Sequence, residues 1–197
     1  MAPPVPQQPL PRPHAIARDL ESQLRKVATL FPAVTLTGPR QSGKSTLCRA
    51  VFPEKPYVNL EDMASRRFAT EDPAGFLAQF PSGAIIDEVQ EVPSLLSSLQ
   101  VRIDEEERER RPPGRWILTG SQNLTMLDGV SQSLAGRTAL LHLLPLTRNE
   151  VERFERPPIA LLDALVAGGY PRIHDRNLPP GEWLRQYVST YVDRDVR

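Results

Sequence analysis

Gly38-Pro39-Arg40-Gln41-Ser42-Gly43-Lys44-Ser45-Thr46 sets two glycines, a lysine and a hydroxyl at the spacing G-x-x-x-x-G-K-[ST]. That spacing suits the binding of phosphate. Gly38 and Gly43 allow backbone conformations that a side chain obstructs, so successive N–H groups can turn inward on an anion. Lys44 is expected to reach the β- and γ-phosphates, and Ser45 to offer its hydroxyl to Mg²⁺. A helix beginning here points its positive end at the same phosphates. The alternative is a turn that merely looks like such a loop. The flanks argue against it, because the loop lies between the apolar, β-favouring run Ala33–Thr37 and the helix-like run Thr46–Phe52.

Further polar groups follow other apolar runs, and in a parallel sheet ligands sit beyond the carboxyl ends of the strands. Ile85-Ile86 delivers Asp87 and Glu88. Asp87 reads as the aspartate that holds Mg²⁺ indirectly, through water or Ser45, and Glu88 as the group that orients or deprotonates an attacking water. A solvated Asp-Glu turn is the competing reading. Ser121, Gln122 and Asn123 end another apolar run and could hydrogen-bond the γ-phosphate or the water, a role compatible with capping a helix. Arg137 precedes the last strand-like run. It reads either as an arginine that stabilises the transition state, within the chain or on a neighbour, or as a surface arginine ending a helix.

The elements that must hold these groups alternate along the chain. Ile16, Leu20, Leu24, Val27 and Phe31 recur at helical spacing and predict an amphipathic helix. Strands are predicted at Ala33–Thr37, Pro56–Leu60, Gly83–Ile86, Trp116–Thr119 and Thr138–Leu144. Between the second and third lies a polar helical stretch from Glu61 to Phe80, broken at Pro73. A long helix from Pro93 to Arg111 ends in the i,i+4 pairs Asp104–Arg108, Glu106–Arg110 and Glu107–Arg111, read as a solvated face. Short apolar strands between helices imply an α/β three-layer sandwich around a mainly parallel five-stranded sheet. After Leu146 only helices are expected, at Asn149–Glu155, Ile159–Ala167 and Gly181–Asp195. The organisation is therefore a proline-rich leader at 1–13, a phosphate-loop domain at 14–147 and a helical segment at 148–197.

The 197 residues balance 24 Lys+Arg against 24 Asp+Glu, so no net field steers the chain toward nucleic acid. No run is long and apolar enough to cross a bilayer, and the N-terminus lacks a secretory pattern. Cys48 cannot form an internal disulfide, which fits a cytoplasmic setting, and it reads as a small core residue.

Seven separated motifs carry a family resemblance. They are Leu36–Thr46, Asn59-Leu60-Glu61-Asp62, Ile86-Asp87-Glu88-Val89-Gln90, Leu118-Thr119-Gly120-Ser121-Gln122, Leu134-Ala135-Gly136-Arg137, Gly168-Gly169-Tyr170-Pro171 and Tyr191–Val196. In this order and spacing they resemble the prokaryotic AAA-type ATP-binding proteins that carry a C-terminal domain of unknown function. The resemblance implies an AAA-like phosphate-loop ATPase that uses ATP and Mg²⁺, with a catalytic glutamate after the Walker-B aspartate. It also implies that members continue past the Tyr-x-x-Arg-Asp segment, so this chain looks truncated before that domain. The expected activity is ATP hydrolysis, and the alternative is an ATP-gated switch or adaptor with little turnover. Glu88 separates the two, since a pure switch needs no water-activating carboxylate. A GTPase is disfavoured because no N-K-x-D motif occurs. A small-molecule phosphotransferase is disfavoured for want of an arginine-rich lid. Beyond ATP, the sequence leaves open a second copy or a partner protein.

Overall fold

The computed structural model describes residues 16–121 and 132–192, so the 1–13 leader, Gln122 and Asn123 lie outside the described residues. Five strands form one sheet: β1 Ala33–Gly38, β2 Tyr57–Asn59, β3 Ile85–Asp87, β4 Trp116–Ser121 and β5 Thr138–His142. Their order is β2-β3-β4-β1-β5, and every neighbouring pair is parallel. All five carboxyl ends therefore open on one side of the sheet.

Strand periodicity sends successive residues to opposite faces, and two separate cores result. Val34, Leu36, Ile85, Ile117, Ala139 and Leu141 face α1 (Glu21–Ala28) and α2 (Lys44–Val51), which contribute Leu24, Leu47, Cys48 and Val51. Ala33, Val58, Ile86, Trp116 and Leu118 face the other way. They pack on α3 (Met63–Glu71), α4 (Pro73–Ala78) and α5 (Leu95–Arg108) through Ala69, Phe76, Leu77, Leu95, Leu99 and Ile103. Phe76 stands edge-on to both Phe68 and Phe80. Each fully buried side chain of this size contributes about 1.5–3 kcal/mol, so the two cores fix the sheet between its helix layers. This is the three-layer α/β sandwich expected from the alternation of strands and helices.

Two of the helices packed on the sheet differ from the sequence reading. The first helix begins at Glu21, not near Ile16. Leu20, Leu24, Val27 and Phe31 do join the core, while Ile16 lines a cleft. At the end of α5 the expected i,i+4 pairs do not form. Glu106 continues the buried row of Leu95, Leu99 and Ile103, so its carboxylate turns inward. There it accepts from Arg102 Nε at 2.9 Å, Arg115 Nε at 2.9 Å and Trp116 Nε1 at 3.0 Å. Asp104 pairs with Arg137 instead, and Arg111 with Glu109. Helical spacing shows which residues share a face; here the sheet supplied stronger partners than the helix.

After β5 come short helices at Arg148–Val151, Leu161–Ala167, Pro171–Asp175 and Pro180–Tyr187, then a π-helical turn at Val188–Val192. Pro171–Asp175 is absent from the sequence reading. Thr147 and Glu150 cap the first of these helices reciprocally. The segment returns to the carboxyl end of the sheet, where Leu146 N donates to Gly169 O at 2.6 Å. No helix among the described residues is long and apolar enough to cross a membrane.

Candidate functional site

β1 runs into the loop at Gly38, whose φ of 150° and surroundings exclude a side chain: a Cβ there would fall 2.2 Å from Leu143 O. Gly43 stands at the N-cap of α2 with φ 95° and ψ 21°, a conformation that suits glycine. The first turn of α2 leaves backbone N–H groups without helical partners, and they open toward the loop. Lys44 folds back across it, with Nζ donating to Gly38 O and Pro39 O, both at 3.0 Å. Burial pulls the Lys44 pKa below its usual value, and the nearby charges of Glu88 and Asp87 pull it back up. The buried Ser42 hydroxyl has no hydrogen-bond partner among the described residues. That is an orphaned polar atom in a loop whose residue types suit phosphate.

Asp87 closes β3, buried and doubly held. Its Oδ2 accepts from the Tyr57 hydroxyl at 2.5 Å, and its Oδ1 accepts from the Thr119 hydroxyl. Sequence reasoning passed over both Tyr57 and Thr119. Their signal lies in register: Tyr57 pairs Ile85 across β2–β3, and Thr119 lies one residue beyond the Ile86–Leu118 pair across β3–β4.

Glu88 turns out of the strand in a left-handed conformation, φ 54° and ψ 49°, and lines the cleft that Asp87 stands behind. Burial raises the pKa of its carboxyl, the Gln90 amide that donates to Oε2 lowers it, and the charge of Asp87 raises it further. Gln90 is thus a third residue missed as a contributor. Ser121, the last residue of β4, lies beside Gly38 in the β1–β4 register and so reaches the loop. Gln122 falls outside the described residues.

Arg137 is not brought to the loop. Its carbonyl accepts from Ala33 N at the amino end of β1, the far end of the sheet from Gly38. Its guanidinium grips Asp104 through Nε at 2.5 Å and Nη2 at 3.0 Å. A within-chain role at the phosphates is therefore corrected. Cys48 is fully buried, which pushes its thiol pKa well up and fits a core residue.

The segments flanking the sheet close around the loop. Arg18 donates through Nη1 to Ser42 O at 2.8 Å, through Nη2 to Leu144 O at 2.8 Å and through Nε to Glu150 Oε1 at 2.9 Å. Arg40 approaches Glu61 at 3.4 Å and the Tyr191 ring at 5.7 Å, and its carbonyl accepts from the Tyr187 hydroxyl at 3.1 Å. Arg18 lines a cleft of about 910 Å³. Lys44, Ser45, Thr46 and Glu88 line it too. Ile16, Leu146, Phe154 and Pro171 give apolar surface, with Arg172 and Arg176 beside them. The size and mixed lining suit a ligand with one flat apolar part and one anionic part.

A family described as an AAA domain matches residues 30–152. Uncharacterized proteins of Mycobacterium bovis and Mycobacterium tuberculosis are each 32% identical over 184 residues, covering 91% of this chain and 39% of theirs. The chain thus spans about two fifths of the length of these curated relatives. Among solved structures, the Walker-type ATPase of Pyrococcus abyssi is similar with a TM-score of 0.57 at 16% identity, over 92% of this chain and 74% of that one. That likeness bears on the fold alone.

Proposed function

Since the chain belongs to the AAA domain family and has an ATP-binding, ATPase-like architecture, we propose that it binds Mg²⁺-ATP in this cleft and hydrolyses it to ADP and phosphate. The observation that carries the reading is the convergence of Lys44, Ser45 and Glu88 on one cleft over the loop, with Asp87 beside Glu88 at the end of β3. The proposed catalytic domain is 14–147, in a cytoplasmic setting, with the 148–197 segment helical.

In this reading the N–H groups of residues 40–46 and the Lys44 ammonium hold the β- and γ-phosphates. The residues fit a magnesium ion: one carboxylate and one hydroxyl, with the remaining places left to phosphate and water, is a set magnesium accepts. Asp87 and Ser45 would hold it, and it would neutralise charge on the phosphates. Glu88 takes the proton of the attacking water as that oxygen bonds to the γ-phosphorus and the bond to the bridging oxygen breaks. Gln90 steadies the Glu88 carboxylate, and Ser121, with Gln122, positions the γ-phosphate or the water.

A second reading, an ATP-gated switch with little turnover, is favoured by the contacts of Arg18 and Tyr187 on the loop carbonyls of Ser42 and Arg40. Two variants decide between them. Lys44→Ala should abolish ATP binding by calorimetry. Glu88→Gln should still bind ATP while single-turnover phosphate release falls by about two or more orders of magnitude, the usual worth of a general base. Equal affinity in Lys44→Ala overturns the binding site. Binding without turnover in the wild type replaces the enzyme by the switch.

A further inference from the structure

The carbonyls of the phosphate loop are held by donors from near and far. Gly38 O and Pro39 O accept from Lys44 Nζ, Pro39 O also accepts from Ser42 N, and Gly43 O accepts from Leu47 N. These donors belong to the loop or to the helix it opens. Two more come from distant segments. Arg18 Nη1 reaches Ser42 O at 2.8 Å, and the Tyr187 hydroxyl reaches Arg40 O at 3.1 Å from 147 positions away. Tyr187 is the last residue of the helix Pro180–Tyr187 and is buried. Its ring lies among those of Tyr170, Trp183 and Tyr191, with centroids 4.7, 5.1 and 5.2 Å away. This packing already restricts the phenol, so its hydroxyl loses little further freedom in meeting Arg40 O.

The peptide that Tyr187 holds is the one joining Arg40 to Gln41, and it is trans. A trans peptide sets its C=O and N–H in opposite directions, so a carbonyl fixed toward the helix turns the Gln41 N–H away from it. Gln41 lines the cleft, whereas residues 180–187 do not. Gln41 also stands at φ 61°, a left-handed conformation that persists in a residue with a Cβ only where its surroundings hold it. We propose that Tyr187 is a positioning residue for phosphate: by holding Arg40 O it keeps Gln41 in this conformation and aims the Gln41 N–H at the bound anion. The proposal rests on the reading of the cleft as a nucleotide site. Coupling of this kind is reciprocal. A helix that readies the loop for phosphate is itself held more firmly once phosphate is bound, so the helical segment registers a filled loop without touching the ligand.

The test is Tyr187→Phe, which keeps the ring in its stack and deletes only the hydroxyl. The affinity for ADP with magnesium, measured by calorimetry, should fall about fivefold, the weight of one neutral hydrogen bond. Hydrogen exchange of residues 180–187 supplies a readout that a merely structural role would not move. In the wild type these amides should exchange more slowly once ADP is bound, and in the variant that slowing should vanish. Equal affinity in the two proteins overturns the proposal, even if the variant melts lower, and leaves Tyr187 a packing residue. A slowing that persists undiminished in the variant overturns it as well. The wild-type exchange needs no variant: amides at 180–187 that ignore bound ADP again overturn the proposal. Failure of the wild type to bind ADP at all would instead remove the nucleotide-site reading beneath it.

Discussion

Lys44 and Glu88 act on each other's ionisation across the cleft, which makes pH a probe of the site. Burial moves the Glu88 carboxyl above the ordinary value of 4.5. A base must be ionised, so hydrolysis should rise with pH along a limb centred above that value and flatten once Glu88 is charged. The sign for folding is opposite: a raised carboxyl favours the protonated native state, and its contribution is lost as pH rises through the raised value. A pH–rate profile of wild type beside Glu88→Gln checks this, because the variant should lose the limb. The loop and the Asp87-Glu88 pair were legible in the sequence, since each is a contiguous string. Tyr57 and Thr119 were not, because they approach Asp87 through strand register from 30 and 32 positions away in sequence. For Arg137 the sequence held two readings, and its position before β5 favours the surface one. A residue just before a parallel strand lies at the amino end of the sheet, away from the ligand.

Elements meet at the buried Arg18–Glu150 pair, which ties the entry to α1, the phosphate loop and the helix Arg148–Val151. Both side chains are under one tenth exposed, 7% and 3%. Arg18→Ala would strand the Glu150 carboxylate, a loss of about 3–5 kcal/mol for a broken buried pair. Burial works to raise the Glu150 carboxyl, yet Arg18 and the N–H groups of Thr147 and Asp19 outweigh it and hold the value below 4.5. A depressed carboxyl stabilises the fold above the ordinary range, and that stability is lost as pH falls below 4.5 toward the depressed value. Glu150→Gln should therefore lower neutral-pH stability and show a shallower decline on acidification, measured by urea midpoints across the pH range. Sequence reasoning found the helix around Glu150 but not the pair, since Arg18 and Glu150 are 132 residues apart.

The whole molecule keeps its chemistry at one end. Six residues of β1, roughly 17 Å at 3.3 Å per residue, separate the loop from the cluster at the other end, where Arg137 holds Asp104 and Glu106 holds Arg115. Arg137→Ala should leave ATP affinity by calorimetry as it was and change stability little, as partly exposed ion pairs do. A loss of affinity would mean that the two ends communicate through the sheet. One residue at the chemical end also weighs on the durability of the entire fold. Glu88 adopts a left-handed backbone that costs a residue with a Cβ about 1–2 kcal/mol, and it buries a charge beside Asp87 as well. Glu88→Gly would relieve both at a penalty of about 0.5–1 kcal/mol in chain entropy. The variant should therefore melt no lower than its parent by calorimetric scan, though a whole side chain is gone and hydrolysis with it. A lower melting temperature would show the turn to be unstrained. In thermal terms such a chain is tuned below its own best, and selection for heat resistance alone would discard the residue proposed here as its general base.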